Sequence, residues 1–580
     1  MNARTLTIAA VVSAALAASA WRYAAARQQT RPQTIARLQQ GWTADQEDAY
    51  YHTPQGTVIM PAAWLAALRD TTGRPFMAPQ RMARLGFIAD DRASARNPYR
   101  WPIGFAVDDG RAARGVPTVG LTCAACHTGQ LRYRGQEMRV NGGQGNIDLD
   151  RFKDEVTAAL AYTGAAPERR HAFEARAVQL GYPADRMAAD FEARYRAVVA
   201  SAPARARIAR TGTVAGPGRN DAVAVITQVL FNYAIGVPTN TNEATAPVSY
   251  PHLWDIHRFD WVQYSAFARQ PMSRNIGEAL GVGALTNFVD PATGALRPEP
   301  QRWRTSIPIM NLFAIEQQIT TLKPPVWPAQ ILGAIDGRRA AVGRMLFAET
   351  CAGCHGVREL AGSPSGEWSM KVVPLRVVGT DAHDAENFAN TTYDGTKLGL
   401  SKAAHAAEGT KLVTDGIRLQ AYRDLNIPAA ARARFDGYGR ANQLVAPCGY
   451  KARPLVGVWA TAPFLHNGSV ATVFDLLSES RPARVAVGHA EYDPVKLGLG
   501  TATGPDVVTL DSAAAGNSTG GHWFTDDANR PGRIGRRLSD AEKYAILEYL
   551  KTASYGTYPR VTVPRPDPLP CVDASTAAAH

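Results

Sequence analysis

Cys123-Ala124-Ala125-Cys126-His127 and Cys351-Ala352-Gly353-Cys354-His355 constrain this chain more than any other feature. Two thiols one helical turn apart can each form a thioether to a haem vinyl group. The imidazole that follows then stands under the iron as proximal ligand. A zinc site wants four N/S ligands in a tetrahedron, and a His directly beside the second Cys is poorly placed to share one metal with both thiols. A thioredoxin-like dithiol needs no His there. The pattern predicts two covalently bound c-type haems, attached at Cys123, Cys126, Cys351 and Cys354, with His127 and His355 on the irons.

Of six cysteines, Cys448 and Cys571 are left over. In an oxidising compartment they can pair, and the chain-entropy model gives a bond closing so long a loop about 5 kcal/mol. Two separate buried thiols are the alternative. The 580 residues allow two to four domains, and 46% hydrophobic with 20% charged residues is an ordinary globular composition. The formal net charge of +12 is reduced by the carboxylates that haems bring. No Lys/Arg run interleaves with aromatics, so no nucleic-acid partner is expected.

The N-terminus reads as a secretory signal over residues 1–20. Arg4 is its positive end, 5–20 its apolar run, and Ala18-Ser19-Ala20 its cleavage site. The run is short for a membrane span. A periplasmic or secreted protein is expected, in keeping with haem attachment outside the bacterial cytoplasm.

Local signals place several helices. Thr43 and Ser539 open capping boxes, with Gln46 and Glu542 three residues on. Helices are expected over 62–69, 150–161, most of 167–210 with a break at Gly181-Tyr182-Pro183, 221–233, 340–350, and from 539 through Leu550. Residues 70–120 and 484–537 read as loops, 139–146 as a turn, and 290–308 with 323–330 as a linker. The expected domains are 40–322 and 335–553, followed by a Pro-rich tail over 554–580.

The sixth iron ligands decide what each haem can do, because a six-coordinate haem moves electrons and an open one binds small oxidants. None of the ten methionines lies after Met370, which is close to His355 in sequence, so the second haem is expected to take a His. The choices are His383, His405, His466, His489 and His522. His466 is favoured, between an apolar run and a turn in Ala462-Pro463-Phe464-Leu465-His466-Asn467-Gly468-Ser469. For the first haem nothing in the spacing selects among Met138, Met187, Met272, His171, His252 and His257, which weakly favours an open site.

Residues 451–469, with Trp459-Ala460-Thr461-Ala462-Pro463-Phe464-Leu465-His466-Asn467-Gly468-Ser469 at their centre, resemble a signature of the bacterial di-haem peroxidase and MauG superfamily. They are most similar to the branch of the rubber oxygenase RoxA. Tyr51-His52-Thr53-Pro54-Gln55-Gly56, the stretch around the first haem motif, and Arg274-Asn275 with Glu278-Ala279-Leu280-Gly281 resemble that branch as well. The resemblance implies a mostly α fold of two cytochrome c-like domains with long loop insertions, one haem in each. It implies an active first haem, open opposite His127, and a second haem held by His355 and His466 that exchanges electrons. It also implies an apolar distal pocket, for which Trp254, Phe259 and Phe267 are the carry-over, with Trp261 as a rival to Trp254.

Three functions follow. An oxygenase would use dioxygen to cleave an apolar alkene such as polyisoprene, or a small apolar substrate. A peroxidase would reduce hydrogen peroxide with electrons from a partner cytochrome, and would need a distal proton shuttle such as Glu278 or Glu243. A di-haem electron carrier would need both irons closed.

Overall fold

The protein is described by a computed structural model covering residues 35–90, 92–110, 115–290 and 292–571. The expected signal segment, 1–20, lies outside the described residues. No helix among them is long and apolar enough to cross a membrane.

The expectation of a mostly α fold of two cytochrome c-like domains is overturned. Helix makes up 38% and strand 16%, and among the described residues the strands are spread over nine small sheets of two or three strands. Strands this short leave no alternation long enough to read. They form because distant segments pair, as where Met60–Pro61, Phe105–Asp108 and Thr118–Leu121 build a sheet inside a stretch that reads as loop. The expected turn over 139–146 opens on the last residues of strand Gln136–Asn141, which pairs with Thr128–Tyr133 and Ile35–Arg37, and turns at Gly142-Gly143. Within 484–537, Arg484–Val487 pairs with Val508–Asp511.

The helices follow the local signals more closely. Both capping boxes are formed, on Ala44–His52 and Asp540–Thr552, each satisfying N-terminal amides that otherwise lack partners. Helices Leu149–Gly164, Pro167–Gln179 and Ala184–Thr211 lie where expected. Ala222–Gln228 continues as a π-helical turn, Val229–Ala234.

Helix Gly337–Thr350 runs directly into the second haem motif and crosses Asp540–Thr552. Phe347 meets Tyr549 there at 5.1 Å between ring centres. The crossing is close because Gly343 has no side chain: a Cβ on it would lie 1.8 Å from the Ala545 carbonyl oxygen.

One apolar core joins residues from Tyr50 to Tyr558, and a second packs around Trp64, Phe76, Phe152 and Phe191. The expected linker at 323–330 is held down. Lys323 N–H donates to the Gln40 carbonyl, and buried Trp327 packs edge-on against Trp459 at 5.3 Å. The Pro-rich tail is extended and docked: Arg560–Val563 pairs in parallel with Val357–Leu360. Cys448 and Cys571 are neighbours without an S–S bond. Cys448 Sγ lies 2.9 Å from the Cys571 carbonyl oxygen.

Candidate haem sites

The two motifs are built alike. Cys123–Cys126 is a single helical turn capped by the Thr122 hydroxyl, which accepts from Ala124 N–H. His127 Nδ1 lies 2.7 Å from the Pro251 carbonyl oxygen, and the Tyr50 hydroxyl donates to the His127 carbonyl at 3.1 Å. In the second motif His355 Nδ1 lies 2.8 Å from the Arg453 carbonyl, and the Tyr558 hydroxyl donates to the His355 carbonyl at 2.9 Å. A carbonyl on Nδ1 fixes the tautomer, orients the ring and leaves Nε2 as the ligand nitrogen. Burial lowers both imidazoles, His127 to about 4, so both stay neutral and able to bind metal. The donor sets fit a covalent haem at each motif: two thiols one turn apart and an oriented neutral imidazole.

A cavity of about 280 Å³ opens beside the second motif, with Cys351, Cys354 and His355 on one wall and Phe464, Leu465 and Val473 among its apolar lining. Three further histidines reach it, His252, His466 and His522. The His522 ring centre is 6.3 Å from that of His355. Two imidazoles bound to one metal at about 2 Å each stand with ring centres roughly 6 Å apart. His522 is held with φ +52°, a backbone region that non-glycine residues occupy only when their surroundings impose it. Its Nδ1 is buried without a partner.

Much of the neighbourhood serves to hold that loop. Arg481 donates to the carbonyls of Thr519, Gly521 and His522. Asn467 donates to those of Gly516 and Ser518, and the Ser469 hydroxyl to Ser518. His522 N–H bonds to Val378 O at 2.7 Å. Gly521 is needed because a Cβ there would meet Gly379 backbone at 2.2 Å. His466 lies flat on Tyr450 instead, ring centres 4.0 Å apart and planes 21° apart, and its carbonyl accepts from Ser249 N–H. The Ala462 to Ser469 stretch thus braces the loop that carries His522.

At the first motif Cys123 Sγ lies 3.1 Å from Gln55 Oε1. Beside it, on helix Pro271–Gly281, is Glu278, whose charge bears on both Cys123 and Cys126. Glu278 faces a cavity of about 30 Å³ shared with Gln263, Phe267, Arg274 and Phe388. Gln263 Nε2 donates to Glu278 Oε1 at 2.5 Å, from a residue with φ +68°. Burial pushes the Glu278 carboxyl above the ordinary carboxylate range. Glu243, the other candidate shuttle, is exposed.

The three aromatic residues expected to share a distal pocket are not brought together. Only Phe267 reaches the Glu278 cavity, stacked on Phe388 at 4.4 Å. Trp254 lies flat on His252, ring centres 4.1 Å apart, and its Nε1 donates to the Val456 carbonyl. Phe259 lies under two cations, Lys451 and Arg453. Trp261 sits in a small separate cluster with Val372 and Val445.

Comparison with known proteins bears on the same region. The chain is 37% identical over 571 residues to the uncharacterized protein y4iJ of Sinorhizobium fredii, covering 89% of this chain and 92% of that one. This chain belongs to the y4iJ family. A second uncharacterized protein of the same organism, y4iM, is 25% identical over 321 residues, 52% of this chain and 63% of its own length. Residues 449–486 match a family model described as RoxA-like, cytochrome c-like. In this y4iJ-family chain the RoxA-like segment therefore holds Arg453, whose carbonyl orients His355, and Asn467, Ser469 and Arg481, which brace the His522 loop. It supports a cytochrome c-type, haem-binding protein.

Proposed function

We propose that this chain is an exported c-type haem oxidoreductase with two covalent haems, reducing a peroxide at the first and taking up electrons at the second. The observation that carries the reading is the buried Glu278–Gln263 pair beside the first motif. A bound haem supplies one-electron chemistry and, on its free side, a position for a small oxidant.

The protein's own groups supply the rest. Glu278, protonated more readily than a surface carboxylate, holds a proton for the leaving oxygen of the peroxide and can take one from the attacking side. Gln263 fixes the carboxyl in place. His127 is kept neutral and oriented by the Pro251 carbonyl. At the second motif His355 and His522, in place of the pair His355 and His466, would hold the haem iron. A closed second site suits electron transfer.

The test is peroxide consumption by the purified holoprotein with a reduced cytochrome as donor. Turnover that falls sharply in Glu278→Gln supports the reading. Undiminished turnover in that variant removes Glu278 from the mechanism.

A second reading, oxidative cleavage of an apolar substrate with dioxygen, is favoured by the Phe267–Phe388 stack in the same cavity. Oxygen uptake with polyisoprene latex and no added reductant, yielding carbonyl-ended fragments, would establish it instead.

A further inference from the structure

The ligand set leaves two cationic side chains in the larger cavity without a role. Lys451, on strand Gly449–Ala452, and Arg453, just beyond it, both line the cavity beside His355. Arg453 donates through one Nη to the His252 carbonyl at 2.8 Å, while its Nε is buried without a partner. Lys451 Nζ lies 5.1 Å from the Phe259 ring centre, and Arg453 Cζ lies 5.2 Å from the same centre on that ring. Among the described residues no carboxylate pairs with either. Two other enclosed arginines do have one: Arg274 meets Glu316 at 2.8 Å and Arg440 meets Glu367 at 2.9 Å.

Burial works against both charges and Arg453 repels Lys451, while Asp260 and Asp255 offset this only in part and form no ion pair with either. Two neighbouring cations out of water need anions. Both line the cavity, whose walls are mostly apolar and carry no carboxylate. An anion there must therefore arrive with whatever fills the cavity. A haem brings two carboxylate side chains on one edge of its ring, and its attachment at Cys351 and Cys354 fixes where that edge can lie.

We propose that Lys451 and Arg453 anchor the two carboxylates of the haem attached at Cys351 and Cys354. This rests on the haem reading above. The ammonium offers three donors and the guanidinium its unpartnered Nε, so both can form charge-assisted hydrogen bonds. Anchoring would also tie the haem edge to the segment whose Arg453 carbonyl orients His355, so one short stretch sets both ring and ligand.

The test is resonance Raman spectroscopy of the holoprotein, read at the carboxylate-bending bands of the haem, with the midpoint potential of the low-spin haem alongside. In Lys451→Met and Arg453→Met the bands shift and the midpoint falls, because a cation beside the ring disfavours the oxidised iron. Lys451→Arg restores the midpoint. Bands and midpoint unchanged in both methionine variants, with haem retained, would overturn the proposal. Should the methionine variants fail to mature, Lys451→Arg and Arg453→Lys keep the charge but move the donors, so an unchanged band in both overturns it equally. Wild-type protein whose mass shows no covalent haem defeats the haem reading itself, and the anchoring proposal with it. That outcome is distinct from haem present and bands unmoved.

Discussion

The imidazoles of His355 and His522 face each other across one cavity with ring centres 6.3 Å apart, although His522 lies 167 residues further along the chain. Replacing His522 by Ala should convert the second haem from low to high spin, visible in the electron paramagnetic resonance spectrum. His466→Ala should leave that haem low-spin, with some loss of stability from the vacated Tyr450 face. A high-spin His466→Ala protein with a low-spin His522→Ala protein would reverse the assignment.

Glu278→Gln keeps the hydrogen bond to Gln263 in reach but cannot release a proton. General acid–base groups contribute about 10²–10⁴-fold, so kcat/KM for peroxide should fall by about that factor. Stopped-flow kinetics with peroxide as the varied substrate measures it, and a loss smaller than tenfold would leave Glu278 with a structural role only.

Gly343 sits where a Cβ would come within 1.8 Å of the Ala545 carbonyl. Gly343→Ala should therefore push the two crossing helices apart. Forced overpacking costs about 1–3 kcal/mol, to be read from the urea midpoint of the holoprotein.

Three buried aspartates make stability depend on pH. Burial raises Asp384 to about 7 and Asp255 and Asp260 to about 6, each from an ordinary value of 3.8. Each is a carboxyl raised in the folded state, so between its two values the folded chain binds more protons than the unfolded one. Stability then falls as pH rises. The decline should run from about pH 4 to 7, with the Asp384 share reaching furthest. Asp384→Asn should flatten the upper part of a thermal-unfolding series across that window.

The helix starts at Thr43 and Ser539 were legible in the sequence because a capping box is settled within four residues. The haem motifs were legible for the same reason: their chemistry is local. The sheets were not, since a two-residue strand such as Met60–Pro61 owes its existence to Val119 and Thr118. His522 is one of five candidate histidines, and its sequence neighbours single it out less than those of His466 do. A signal was present in Gly516-Asn517-Ser518-Thr519-Gly520-Gly521-His522, where crowded glycines mark a backbone pressed against something. Only the fold shows that the neighbours are Gly379, Asn467 and Arg481. Trp254, Phe259 and Phe267 lie near one another in sequence and join one apolar core, yet the left-handed residues Asp255, Gln263 and Ala266 turn the chain between them, and only Phe267 lines the Glu278 cavity.

Cys448 and Cys571 were readable as leftovers and do end as neighbours. In oxidising buffer the intact protein should weigh two hydrogens less than after reduction, and Cys448→Ser should cost about 4–5 kcal/mol by the chain-entropy argument. Equal masses before and after reduction would establish two separate thiols.

The Pro251 carbonyl holds His127, the neighbouring His252 carbonyl accepts from Arg453, and the Arg453 carbonyl holds His355. The posture of each iron-binding ring is thus written into a segment that is clipped to the other's. A gene cut between residues 322 and 335 would not yield two interchangeable cytochromes. Each fragment would keep its cysteines and the carbonyl that aims its histidine but lose the Arg453–His252 clip that ties the two segments together, and the partners would have to be made, loaded and evolved as a single piece.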